Sequence, residues 1–132
     1  MSFSHHGHYT LEKEQGYFIV TYIGSWNEEA AKAFLEVFNP YIVDSGFEKF
    51  GIISDLSDWE GATPEALQLG KEAIDDFYAK GQMVSAHVTG SIMKQHFMQE
   101  MQKLQAARMA FNQLDTLESA KKWMETKIKE LF

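Results

Sequence analysis

A chain of 132 residues fills one domain around a single core, and a hydrophobic content of 45% with only 2 Pro excludes global disorder. The 12 Lys and Arg against 19 Asp and Glu leave a net charge of -7, a field that repels phosphate backbones, so nucleic acid is not an expected partner. There is no Cys, which removes disulfide frameworks, thiolate nucleophiles and Cys-based metal centres.

Near the start, Leu11 stands alone among polar neighbours, so no secretory signal is read there. The longest apolar stretch, Tyr17 to Ile23, is far below the roughly 20 residues that span a bilayer as a helix. The expectation is a soluble, cytoplasmic, single-domain chain over 1–132, without repeats or linkers. His8 to Lys13 and Tyr17 to Ile23 flank Glu14-Gln15-Gly16 and read as a β-hairpin. Asn27 then caps a helix with acids at Glu28 and Glu29. Its stripe is Ala30, Ala33, Phe34, Val37, Phe38, Tyr41 and Ile42, and it closes near Gly46.

Phe50 to Leu56 reads as a buried strand, and Ser57 to Ala62 as its polar loop. Thr63-Pro64-Glu65 opens the second helix, with Thr as cap, Pro at the first position and an acid in the first turn. Its stripe is Leu67, Gly70, Ala73, Ile74, Phe77 and Tyr78, and Lys80-Gly81 ends it. Met83 to Thr89 follows as a strand, Ile92 to Leu104 as a third helix, and Ala107 to Leu114 as the last strand. The closing helix starts at Asp115 to Glu118 and carries Leu117, Ala120, Met124, Ile128 and Leu131. The order ββαβαβαβα implies an α/β fold. Its sheet is mixed but mostly parallel, of about five strands, flanked by four helices.

This order, with Ile53-Ser54-Asp55-Leu56-Ser57-Asp58-Trp59-Glu60-Gly61 and Glu118-Ser119-Ala120-Lys121-Lys122-Trp123-Met124, resembles the SpoIIAA-like family, which has the fold of anti-sigma factor antagonist or STAS domains. The resemblance implies a bacterial regulatory protein without established catalysis. Membrane or partner association and binding of small apolar ligands are suggested for some members. Phospho-switched antagonists carry an Asp-Ser-Ser-Gly-type sequence at the start of the helix after the central strand. Here Gly61-Ala62-Thr63-Pro64 stands in that place, which argues against kinase-driven partner switching and leaves Thr63 and Ser57 as the nearby regulatory candidates.

His5, His6 and His8 are close enough in sequence to hold a divalent ion, although a His-rich terminus lacks fixed supporting partners. Asp55 and His87 fall at the carboxyl ends of neighbouring strands, where an acid/base pair is conceivable, but no nucleophile accompanies them. His87 as a hydrogen-bonded core imidazole is the plainer alternative. The dispersed glycines spell no phosphate-binding loop, and the C-terminal lysines alternate with acids as on a solvated helix face. No catalytic residue, metal site or cofactor is expected.

What remains is soft apolar surface on the second and third helices, where polarizable Met accompanies Phe. The leading expectation is a non-enzymatic protein that binds a small apolar or lipid-like ligand in a cleft bounded by Leu67, Leu69, Phe77, Phe97, Met98 and Met101, with peripheral membrane contact alongside. Leu69 is about 200° around the helix from Leu67 and is expected to be exposed. The alternative is a protein-interaction module that uses Ser57 to Thr63 for a protein partner. A homodimer is compatible with either.

Overall fold

The computed structural model describes residues 7–132, apart from the side chain of Phe97. Five strands, β1 (Gly7–Lys13), β2 (Tyr17–Trp26), β3 (Phe50–Ala62), β4 (Gln82–Val88) and β5 (Ala110–Leu114), form one sheet in sequential order. The β1–β2 pair is antiparallel and the other three pairs are parallel. The helices are α1 (Glu28–Ser45), α2 (Pro64–Lys80), α3 (Ile92–Phe97), α4 (Gln99–Ala106) and α5 (Leu117–Leu131). The expected α/β fold with a mixed, mostly parallel sheet of five strands is the observed one, with five helices in place of four.

Caps fix the helix starts. The Asn27 side chain accepts from the Ala30 N–H at 2.9 Å, and Thr63 Oγ1 accepts from the Ala66 N–H at 3.2 Å, with Pro64 behind it. Ser91 and Thr116 do the same for α3 and α5. Each side chain satisfies one of the amide groups that the first turn leaves without a partner.

The period-two alternation of the strands sorts side chains onto two faces. Phe18 and Val20 of β2, with Ile52 of β3, pack under Phe34 and Phe38 of α1. Tyr17, Ile19, Ile53, Val84, Ala86 and Val88 point the other way, against Ala120 and Met124 of α5. One face therefore carries α1, α2 and the α3–α4 pair, and α5 alone covers the other. The thicker side holds a chain of edge-to-face aromatic pairs, such as Phe18–Phe38 at 5.7 Å and Phe38–Phe77 at 5.4 Å.

Several expectations are corrected. Ser57 to Ala62 is not a loop: β3 runs through it and pairs with β2 as far as Trp26↔Ala62. Two register irregularities, between Thr21 and Ile23 and between Gly24 and Ser25, break the alternation that would have marked a strand. Leu56 and Trp59 are its buried anchors. The third helix divides at Met98, whose backbone (φ -93, ψ 2) leaves the helical region and joins α3 to α4. The last strand starts at Ala110, because residues 107–109 form a turn in which Met109 N–H donates to Gln105 O. Val37, Tyr78 and Leu131 are exposed instead of lining their helices' apolar stripes. No helix among the described residues is long and apolar enough to cross a membrane.

Candidate functional site

Between the sheet and the α1, α2 and α4 layer lies a cavity of about 120 Å³. Its floor comes from alternate positions of the central strands: Tyr22, Ile52, Ser54, Leu56, Ser85 and His87. Phe34 and Phe38 of α1 and Ala66, Leu67, Gly70, Ile74 and Phe77 of α2 form the roof, and Met98, Met101 and Gln105 close the side. The described lining residues include no Lys, Arg, Asp or Glu. The space exists partly because α2 presents small residues inward at Ala66, Gly70 and Ala73, where larger ones would fill it.

Of the six residues expected to bound a cleft, Leu67, Phe77, Met98 and Met101 line this cavity. Leu69 does not. It is half-buried against the core and borders a separate surface cleft with Glu28, Pro64 and Glu72. The Phe97 side chain lies outside the described residues.

A polar cluster sits in the apolar wall. Ser85 and His87 are each about 1% exposed and Gln105 is 8% exposed. Ser85 Oγ donates to Gln105 Oε1, and Gln105 Nε2 lies 3.0 Å from His87 Nε2. The His87 ring also meets Phe111 edge-on at 5.0 Å. Nothing among the described residues pairs with His87 Nδ1, which is buried. Burial lowers the imidazole from its ordinary 6.5 to about 4, against a smaller opposing effect of the Gln105 hydrogen bond, so His87 is neutral at pH 7. On the same floor, burial pushes the Tyr22 phenol up to about 12.

This arrangement keeps Asp55 away from His87. Its lateral neighbour on β3 is Ser54, while Asp55 pairs with Val88 and belongs to the opposite parity. Asp55 Oδ1 instead accepts from the Ser57 N–H at 3.0 Å and from Ser57 Oγ at 2.7 Å. The conceivable Asp55–His87 pair is therefore not formed, and His87 is the buried, hydrogen-bonded core imidazole of the plainer alternative. Ser85 and Gln105 are not among the residues that motif and spacing single out. The usable signal was the polar series Ser85, His87, Thr89 at alternate positions of a strand whose other face is Val84, Ala86 and Val88.

Thr63 serves as the cap of α2 and Ser57 is exposed on β3. Lys94 Nζ donates to Leu56 O at 2.9 Å and to Ser57 O, tying α3 to that part of the strand. Beside this tether Ile92 and Met93 are 83% and 73% exposed. His5 and His6 lie outside the described residues, and His8 pairs with Ile23 in the hairpin. The described residues contain no group of three metal-ligating side chains.

No family model matches the sequence, and no curated protein matches it. Solved structures do. An uncharacterized protein from the DUF3478 family with a SpoIIAA-like fold, from Shewanella loihica, matches with a TM-score of 0.68 at 11% identity, over 89% of this chain and 93% of that one. An anti-sigma factor antagonist from Mycobacterium paratuberculosis matches with a TM-score of 0.60 at 16% identity, over 94% and 97%. The Bacillus cell fate determinant SpoIIAA in its phosphorylated form matches with a TM-score of 0.60 at 14% identity, over 87% and 97%. With sequential strands, a leading hairpin and helices on both faces, this chain has the SpoIIAA-like fold of the anti-sigma factor antagonists.

Proposed function

We propose that this protein is a non-enzymatic binding protein that takes a small apolar molecule into the cavity beneath α2 and α4. The observation that carries the reading is the partly open space of about 120 Å³ with an uncharged wall rich in Phe, Leu and Met. Apolar cavities of about this size stay dry and accept a ligand such as benzene. Ligand sites are typically concave and apolar with a few placed polar groups, and here those are Ser85, His87 and Gln105. The joint at Met98 supplies a way in, because α3 and α4 can separate there without breaking a continuous helix.

Native mass spectrometry of freshly purified protein, followed by denaturing extraction, tests this. A retained apolar species, or saturable uptake of an added one such as ethylbenzene, is expected. Bare polypeptide that takes up no apolar probe would contradict it. The same spectrum reports monomer or dimer.

A second reading is favoured by the exposed Ile92 and Met93 on α3, which Lys94 ties to β3 at Leu56 and the exposed Ser57. This surface suits a protein partner, in keeping with the antagonist neighbours, with Thr63 or Ser57 as the point of control. A phosphate at Thr63 would sit at the N-terminus of α2, where anions are welcome. Intact mass after expression with native kinases tests the control: added phosphate at either hydroxyl supports it and its absence counts against it. Peripheral membrane contact through the same apolar pair would show as sedimentation with vesicles that Ile92→Ser abolishes.

A further inference from the structure

Helix α4 is fastened unevenly. At its carboxyl end Gln105 bonds Ser85 and His87 in the buried cluster, and the side-chain amides of Gln102 and Gln113 of β5 meet at 3.2 Å. Arg108, just past the helix, pairs with Asp75 of α2. The amino end is held differently. The chain leaves the helical region at Met98, and on the far side of that joint α3 is tied to β3 by its own Lys94. Against α2, the first turn of α4 lays the Met101 methyl over Gly70, which has no side chain to interlock with it. Beside that contact Lys71 Nζ pairs with Glu100 Oε2 at 3.1 Å.

Met98 and Met101 are also the side wall of the cavity. Resting on the proposed binding function, we infer that the first turn of α4 is a lid latched by the Lys71–Glu100 pair. When the pair parts, α4 swings on its Gln105 end, Met101 lifts from Gly70, and the cavity opens between α2 and the joint at Met98. The relative strengths decide which end moves. Glu100 keeps 73% of its side chain exposed, so the latch is a solvent-screened ion pair, weak and sensitive to salt. The carboxyl end hangs on buried hydrogen bonds, which are costly to leave unmade. A latch that is shut in both the empty and the occupied protein stabilises both alike, so it governs how fast a ligand exchanges and not how tightly it binds.

Because the chain contains no Cys, a single introduced thiol reports the opening. Ala73→Cys places it on the cavity wall, and Ala120→Cys places a control under α5 on the opposite face of the sheet. Labelling of the full chain by neutral methyl methanethiosulfonate is timed at low salt and at about 1 M, where the screening length is about 3 Å. Salt and Lys71→Met are each expected to speed labelling of Ala73→Cys about threefold, the scale of one exposed ion pair, and to leave Ala120→Cys unchanged. In the Lys71→Met background salt should have no further effect, and adding Glu100→Gln should give no further acceleration. Equal rates in wild-type and Lys71→Met backgrounds, or equal acceleration of both thiols, overturn the lid. Should Ala73→Cys not fold, Ala66→Cys on the same wall takes its place. Ethylbenzene reads the binding function separately. Its protection of the cavity thiol supports binding even where the latch effect is missing, and labelling that it leaves unchanged removes the binding reading while the latch effect still decides the lid.

Discussion

Gln105 Nε2 of α4 lies 3.0 Å from His87 Nε2 of β4, joining a short helix to a central strand inside an otherwise apolar layer. Because Ser85 completes the chain through Gln105 Oε1, one amide satisfies two buried groups on β4. Replacing Gln105 by Leu leaves the Ser85 hydroxyl and both imidazole nitrogens unpaired. The expected loss is about 1–3 kcal/mol for the unsatisfied groups, read as a lower urea midpoint with an unchanged slope. A midpoint at or above the wild-type value would show that the amide bonds carry little.

His87 also sets a pH dependence. Its folded-state value of about 4 lies below the ordinary 6.5, so between those values the unfolded chain binds a proton that the folded chain refuses. Unfolding is then favoured as pH falls: the contribution is complete above about 6.5 and disappears toward 4. The full shift corresponds to roughly 3 kcal/mol. The stability difference between wild type and His87→Leu should shrink by that order between pH 7 and pH 4 in urea titrations. A constant difference would mean that His87 titrates normally in the folded chain.

Gly70 within α2 and Gly81, which closes it, should respond differently to Ala. At Gly81 the backbone has φ +117 and an added Cβ would collide with the carbonyl oxygen of Glu48. A substitution there should cost about 2 kcal/mol or more, since neither the conformation nor a backbone atom can yield cheaply. At Gly70 the nearest atom is the Met101 methyl, 2.8 Å from the added Cβ, and it can swing aside. The gain in helix propensity, about 1 kcal/mol, should leave Gly70→Ala near wild-type stability but with weaker uptake of ethylbenzene, because the methyl moves into the cavity. Thermal melts and a binding isotherm check both.

Thr63→Val removes the hydroxyl that caps α2 and should cost about 1 kcal/mol, whereas Thr63→Asp restores an acceptor and should recover most of it. Equal stability of Thr63→Val and wild type in denaturant melts would show that the cap is not used.

The fold was legible where local chemistry and periodicity agree. Asn27, Thr63-Pro64, Gly46 and Gly81 mark helix ends that the structure keeps, and the single helices between strands imply the parallel sheet. The extension of β3 was hidden because its register irregularities place two exposed residues, Ser57 and Asp58, between the anchors Leu56 and Trp59. The division at Met98 has no Gly or Pro to announce it. At the cavity, helical spacing brought Leu67, Phe77, Met98 and Met101 to attention as apolar faces. The Gln105–His87 contact spans 18 residues in sequence, and no local pattern encodes which nitrogen is left unpaired.

The central claim, an apolar binding cavity on one face of the sheet, is tested most directly by methyl NMR. With Met methyl groups labelled with carbon-13, the full chain is titrated with ethylbenzene. Met98 and Met101 line the cavity, while Met83 and Met124 pack on the opposite face. The account predicts saturable shifts of the first pair and little change in the second. Shifts of all four alike, or of none, would contradict it.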